Sequence, residues 1–188
     1  MRNLVKYFGV SLLVMGLAAC DGQSDTKTAD NAGQTSTSQN EAGKTISLMD
    51  GKFSLTLPAG MTDKSDKLST QVNNMRVYAD ESGQKAVITM EVPASNDKLS
   101  DLAKRMIDQQ QLRSPQLQVV TNKEITVGTQ SLQQLDTVLN VNGQSAWSSV
   151  VMGKVAGTLF TLQVTLPSSD QQAAQTEAAS ILQTLQAN

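Results

Sequence analysis

The chain has 188 residues, of which 15 are basic and 17 acidic, with no histidine and a single cysteine, Cys20. This length allows one domain with a real core, and the balanced charge without an extended basic run argues against nucleic acid as a partner. Because histidine is absent and no second cysteine exists, the composition excludes a Ser-His-Asp hydrolase, a zinc enzyme and a thiol oxidoreductase.

The chemistry left open by the composition is narrow. Carboxylate catalysis, a Ser-Lys dyad and a Ca²⁺ site need neither histidine nor cysteine. No strong motif indicates any of them, so we predict a protein that is not an enzyme, uses no cofactor and binds no metal.

The first 19 residues have the form of a secretory signal peptide. Arg2 and Lys6 give a basic start, an apolar run over residues 7–19 ends on small side chains, and Cys20 follows directly. The run is shorter than the ~20 residues that a helix needs to cross a bilayer. Leu-Ala-Ala-Cys resembles a bacterial lipoprotein signal, which predicts cleavage before Cys20 and lipid on its thiol; a secreted protein or an uncleaved anchor are the alternatives.

Residues 21–44 predict a flexible tether. They contain no large apolar side chain and are rich in Gly, Ser, Thr, Asn and Gln, so they cannot bury enough surface to offset their ordering entropy. A coil of this length spans roughly 25–30 Å. The sequence therefore divides into a signal peptide (1–19), a lipidated cysteine with its tether (20–44) and a single α+β periplasmic domain (45–188).

Two β-hairpins are predicted at the start of the domain. Apolar and polar residues alternate over 46–57 on both sides of Asp50-Gly51, and Pro58 ends the run. A second alternating pair over 75–92 flanks a turn at residues 80–83.

A helix is predicted next, because the apolar spacing changes to three and four residues between Leu99 and Gln110. Ser114-Pro115 ends it. The candidate N-caps are the three polar residues before it: Ser95, Asn96 and Asp97.

Four further strands follow the helix. Residues 117–127 predict one interrupted strand, and residues 135–141 and 147–151 alternate on either side of Asn142-Gly143, a strong hairpin signal. The last strand covers 159–166 and closes at the following proline.

The final element is predicted to be a helix with Ser169 and Gln172 as a capping box. Its apolar stripe consists of Ala174, Ala178, Ile181, Leu182 and Leu185. The element order ββ-ββ-α-β-β-β-β-α predicts the α+β class, a mostly antiparallel sheet flanked by helices.

Several segments, in this order, resemble the DcrB family of enterobacterial inner-membrane lipoproteins: MRNLVKYFGVSLLVMGLAACD, LPAGMTDKSDKLSTQVNNMRVYAD, GQKAV, LAKRMIDQQ, PQLQVVTNKEI, QQLD and LPSSDQQAAQT. The resemblance covers nearly the whole chain. It implies a PsbP-like fold and a location at the periplasmic face of the inner membrane. It also implies roles in cell-envelope integrity, in lipoprotein maturation and in the uptake of certain phages. It brings no catalytic residues.

Four residues are candidate functional positions. Cys20 is the predicted lipidation site, and Asp21 resembles the signal that retains lipoproteins in the inner membrane. Trp147, the single tryptophan, is a candidate partner contact, although a core position is the more common role of such a residue. Tyr78 is a second candidate contact, since alternation places it opposite Met75 and Val77, where we expect it to be exposed.

Two other groupings carry weaker signals. Asp63 and Asp66 could hold Ca²⁺ but lack the glycine and glutamate of a calcium loop, so a solvated loop is favoured. Ser148-Ser149 near Lys154 could suggest a Ser-Lys dyad, but alternation puts the two serines on opposite faces.

The expected partners follow from the location. They are membrane lipid through acylated Cys20 and an envelope protein or lipoprotein, and a homodimer is possible. The alternative function is a periplasmic carrier that binds a small apolar or lipid ligand between sheet and helix.

Overall fold

A computed structural model describes residues 43–67, 74–141 and 143–188 of the chain. Within these ranges the backbone forms ten strands and two α-helices, with one short 3-10 turn at Ser65–Lys67. In chain order they are β1 (Thr45–Leu48), β2 (Phe53–Thr56), β3 (Thr62–Asp63), β4 (Met75–Ala79), β5 (Ala86–Pro93), α1 (Leu99–Arg113), β6 (Gln118–Val127), β7 (Gln130–Val141), β8 (Gln144–Val155), β9 (Thr158–Pro167), α2 (Gln171–Leu182) and β10 (Gln186–Ala187).

Most strands belong to one antiparallel sheet of order β3-β4-β5-β9-β8-β7-β6, and β1, β2 and β10 form a small second sheet. The predicted hairpins β1–β2, β4–β5 and β7–β8 are confirmed. Gly143 at the β7–β8 turn has a φ of 78°, the left-handed conformation that a tight hairpin turn requires. The α+β class predicted from the sequence is therefore correct, and β6 is the outermost strand at one edge of the large sheet.

One face of the large sheet, which we call the α2 face, carries the main core. Helix α2 and the β1–β2 hairpin pack on it, and the ring of Phe53 stacks on that of Phe160 with centroids 5.4 Å apart. Both rings are fully buried, which contributes about 1.5–3 kcal/mol each. The predicted apolar stripe of α2 is confirmed for Ala174, Ala178 and Ile181, which are buried, and for the partly buried Leu182, whereas Leu185 is buried in the core but follows the end of the helix.

The opposite face, which we call the α1 face, carries a smaller core. Ala103 of α1 is fully buried against a set of apolar strand residues: Leu135, Val150, Met152 and Leu159. Strands β8 and β9 therefore lie between two covered faces. Polar side chains that point to the α1 face hydrogen-bond to each other there, as when Gln163 Nε2 donates to Ser148 Oγ at 3.1 Å.

The N-caps differ from those predicted. Helix α1 begins after Lys98, with no side-chain cap, because the carboxylate of Asp97 instead pairs with Arg105 at 2.6 Å. The cap of α2 is Asp170, whose Oδ1 accepts from the Ala173 N–H at 3.0 Å, rather than Ser169. Both predicted caps were wrong because several polar residues precede each helix, and tertiary contacts decide which of them is used.

The C-terminus contains a strand that the sequence pattern does not reveal. Helix α2 ends at Leu182, and the two residues of β10 pair with β2. The Asn188 N–H then donates to the Lys52 carbonyl at 2.9 Å. This pairing joins the two ends of the described domain.

Replacing Asp170 with alanine removes the side-chain cap of α2. We expect Asp170→Ala to lower the free energy of unfolding by about 1 kcal/mol. Chemical denaturation followed by circular dichroism measures the loss. Ser169→Ala is the matched control and should stay within about 0.5 kcal/mol of the unaltered protein, because its hydroxyl caps nothing. Equal losses in the two variants would contradict the assignment of Asp170 as the cap.

Candidate functional site

A groove of about 730 Å³ lies between helix α2 and the α2 face of strands β6, β7 and β8. We call it the sheet–α2 groove. Its strand side is formed by residues of alternating register: Thr121, Lys123, Ile125, Gln134, Asp136 and Trp147. Its helix side is formed by Gln175, Ala179, Leu182, Gln183 and Leu185.

The floor of the groove changes from polar to apolar along the strands. Thr121 of β6 lies opposite Asp136 of β7, which lies opposite Ser149 of β8. Two residues along β6, Lys123 lies opposite Gln134, and Ile125 follows after a further two. Same-face positions are separated by about 7 Å along a strand, so the groove has a polar end at Asp136 and an apolar end beyond Ile125.

Asp136 is the most unusual residue of the groove. Its side chain is only 5% exposed, although charged residues are almost never fully buried unless they are paired. Its Oδ2 accepts from Gln134 Nε2 at 2.8 Å, whereas its buried Oδ1 has no hydrogen-bond partner among the described residues. An unsatisfied buried acceptor costs about 1–3 kcal/mol. Asp136 therefore has an unused hydrogen-bonding capacity at a groove wall.

Lys123 supplies the opposite charge. It is exposed, it lines the same groove, and it forms no ion pair among the described residues. Lys123 and Asp136 are diagonal neighbours on one face, and such neighbours are typically about 7–8 Å apart. The groove thus offers one negative and one positive group side by side.

The structure places Trp147 in the core. Its side chain is 1% exposed, it belongs to the main core, and its indole N–H donates to Ser149 Oγ at 2.8 Å. A core position is the more common role of a single tryptophan. Such burial leaves little of the ring for a surface contact with a protein partner. One part of Trp147 still borders the sheet–α2 groove, which makes it a sensitive reporter of that site.

Tyr78 is not exposed, which corrects the expectation from alternation. It is 9% exposed and belongs to the main core, because the β1–β2 hairpin covers the α2 face of β4 that alternation alone left open. Burial raises the pKa of its phenol above 10.0, with a smaller contribution from the charge of Asp63. A direct partner contact through Tyr78 would need this face to be uncovered.

A second depression, of about 620 Å³, lies beside Tyr78 and the turn of the first hairpin. Two carboxylates line it, Asp50 in the turn itself and Glu91, whose Oε1 already accepts from the Met49 N–H at 2.9 Å. Glu91 thus holds the β1–β2 turn against β5. We assign this depression a structural role.

The weaker groupings do not assemble into sites. Ser148 and Ser149 lie on opposite faces of β8, as expected, and Lys154 donates to the backbone carbonyls of Ser95 and Asp97. Asp63 accepts from the Ser65 hydroxyl, which lowers its pKa below 3.8. In the described ranges no three acidic or cysteine side chains lie close enough to hold a metal ion.

Cys20 and Asp21 lie outside the described residues, so their roles remain predictions. Over the described ranges no helix is long and apolar enough to span a membrane. The sequence analysis did not single out Asp136 or Lys123. Alternation along β7 puts Asp136 on the same face as Gln134 and Val138 and opposite Leu135, so local sequence gave no signal that this carboxylate is buried.

The family model and a curated relative identify one family. The pattern that defines the DcrB family matches residues 53–184. The inner membrane lipoprotein DcrB of Shigella flexneri is 52% identical over 185 residues, which cover 98% of each chain.

Solved structures support the fold. The PsbP protein of the cyanobacterium Synechocystis sp. PCC 6803 (CyanoP) aligns with a TM-score of 0.60 at 12% identity, covering 83% of this chain and 98% of that one. A mutant of the protein Mog1 aligns with a TM-score of 0.53 at 12% identity, covering 77% of this chain and 95% of that one. At this identity the likeness shows a shared fold and carries no function.

The burial of Tyr78 predicts a pH dependence at the alkaline limit. Because the pKa of the folded state lies above that of the unfolded state, the contribution of Tyr78 to stability is complete below about pH 10 and is lost as the pH rises through the folded value. We expect the free energy of unfolding to fall in this range and Tyr78→Phe to lack that part of the decrease. Denaturation curves at increasing pH measure it, and identical profiles for both proteins would contradict it.

Proposed function

This chain belongs to the DcrB family of inner-membrane lipoproteins, and on that premise we propose that it is a non-enzymatic binding domain held at the periplasmic face by lipid on Cys20. The observation that carries the proposal is the near full-length match to an inner membrane lipoprotein. With 98% of the chain aligned, the match extends into the segment around Cys20.

The proposed anchor sets what the domain can reach. Stable attachment takes more than one acyl chain, and a diacylglyceryl group with an amide-linked chain supplies three. A tether with a typical span of roughly 25–30 Å keeps the domain near the bilayer. This raises its effective concentration for envelope proteins and lipoproteins in the same membrane, which suits a role in envelope integrity and lipoprotein maturation. Use of the surface by certain phages is a secondary consequence.

A second candidate function is a carrier for a small amphiphilic or lipid ligand. The specific observation in its favour is the sheet–α2 groove, whose volume falls in the range of about 300–1,000 Å³ of small-molecule sites. The apolar end of the groove suits a hydrocarbon chain. A carrier held close to the membrane would meet its ligand where that ligand is most abundant.

The anchor and the sorting signal are tested by cell fractionation. We expect Cys20→Ser to lack the acyl mass of the unaltered protein, since it removes the thiol that carries the lipid, and Asp21→Ser to move the protein to the outer membrane. Asp25→Ser is the matched control, because it removes an acidic residue of the tether without changing the position after Cys20. Unchanged inner-membrane recovery of Asp21→Ser would contradict the sorting role, and an unmodified Cys20 in mass spectrometry would contradict the anchor.

The carrier function is tested by native mass spectrometry of the full chain purified from membranes. We expect a fraction of molecules with an additional mass equal to one phospholipid. The same preparation of Leu182→Gln should lose that fraction, because the substitution places an amide at the apolar end of the groove. Ligand-free masses over repeated preparations would count against the carrier.

A further inference from the structure

We propose that the sheet–α2 groove recognises an amphiphile through a protonated primary amine, with Asp136 as its acceptor. This inference rests on the carrier function proposed above and names the chemistry of its ligand. The chemical class is a zwitterionic aminophospholipid, with the ammonium at Asp136, the phosphate at Lys123 and the hydrocarbon chain at the apolar end of the groove.

The first step of the argument is the unsatisfied carboxylate oxygen. Asp136 is held in place by Gln134 through Oδ2, while Oδ1 has no partner within the described part of the chain. A carboxylate accepts hydrogen bonds and donates none, so the missing partner must be a donor. An ammonium satisfies both the charge and the unused acceptor position, and hydrogen bonds between two ionised groups are the strong ones.

The second step is the position of Lys123. It lines the same groove two residues along β6 from Thr121, the residue opposite Asp136. A ligand with two positive charges would be repelled there, whereas a ligand with an anion beside its ammonium would have a partner for each charge. Asp136 is the one acidic and Lys123 the one basic residue among the described residues that line the groove. This pairing selects a zwitterion.

The third step is the direction of the groove. Beyond Lys123 the lining gains four apolar side chains, Ile125 and Val127 on the strand and Leu182 and Leu185 on the helix side, next to the polar Thr126, Gln183 and Gln186. Val127 is six residues from Thr121, a distance of about 20 Å along a strand. A polar head at Asp136 therefore places an attached acyl chain along this apolar lining.

The fluorescence of Trp147 can report ligand binding in the groove. It is the only tryptophan of the sequence, it lines the groove, and its indole N–H bonds to Ser149, the neighbour of Asp136 across the sheet. The full chain, kept soluble in an amphipathic polymer, is titrated with monomeric dihexanoyl phospholipids that differ only in the head group. Ethanolamine carries a primary ammonium, choline a quaternary one without N–H donors, and glycerol no cation. Two further ligands represent parts of the intact lipid. Free ethanolamine represents the head group, and hexylamine represents the bare ammonium.

We expect the ethanolamine lipid to change the fluorescence of Trp147 at about tenfold lower concentration than the choline or glycerol lipids. Asp136→Asn should abolish this preference while leaving thermal stability equal or higher, since a neutral amide replaces the incompletely satisfied carboxylate. Lys123→Gln should weaken the binding of the ethanolamine lipid and leave the binding of hexylamine unchanged. Asp108→Asn, on the exposed side of α1, is the control of equal chemistry and should behave as the unaltered chain.

The outcomes separate the two proposals. A response to all three lipids at equal concentrations, or an unchanged preference in a folded Asp136→Asn, would overturn ammonium recognition and leave the carrier function standing. No response to any lipid or amine would overturn both. The head-group series on the unaltered chain stands by itself if a variant fails to fold.

Discussion

The fold depends on the burial of β8 and β9 on both of their faces. Helix α1 covers one face and α2 with the β1–β2 hairpin covers the other, so residues 147–153 and 159–166 are buried almost without interruption. Such strands cannot keep the simple inside–outside alternation of a half-exposed sheet. Polar residues that fall on the inner faces must then pair with each other, as Gln163 does with Ser148.

The groove arises where this double covering ends. Helix α2 packs mainly over β9 and β8, and β6 is the outer strand of the sheet. Asp136 on β7 therefore lies at the margin, buried by its neighbours yet next to open space. A carboxylate with one unused oxygen at such a place lowers stability, and natural proteins accept such losses mainly at functional positions. This is the physical reason to look for a ligand at Asp136 before any other residue.

Membership of the DcrB family and the geometry of the groove inform different parts of the function. The family establishes an inner-membrane lipoprotein, and thus where the domain acts. The shared fold with a cyanobacterial PsbP protein and with a mutant of Mog1, at 12% identity, adds nothing about chemistry. The charged side chains of the groove suggest the chemistry, because a binding site is defined by its side chains and not by the sheet that carries them. A lipid anchor and a groove for an amphiphile would act on the same two-dimensional pool of molecules.

Local patterns in the sequence determined the hairpins and the two helices, and they predict the targeting segment. Period-two alternation around a turn, or a spacing of three and four, depends on residues close in the chain and needs no tertiary information. Tertiary structure decided the rest. Asp97 is a reasonable cap by sequence, but Arg105 takes its carboxylate; Tyr78 is exposed by alternation, but a distant hairpin covers it. The pairing of β10 with β2 and the position of Asp136 beneath the edge of α2 likewise join segments far apart in the chain. The burial of apolar surface over the whole core decides which segments pack together. A short stretch of sequence does not contain that information.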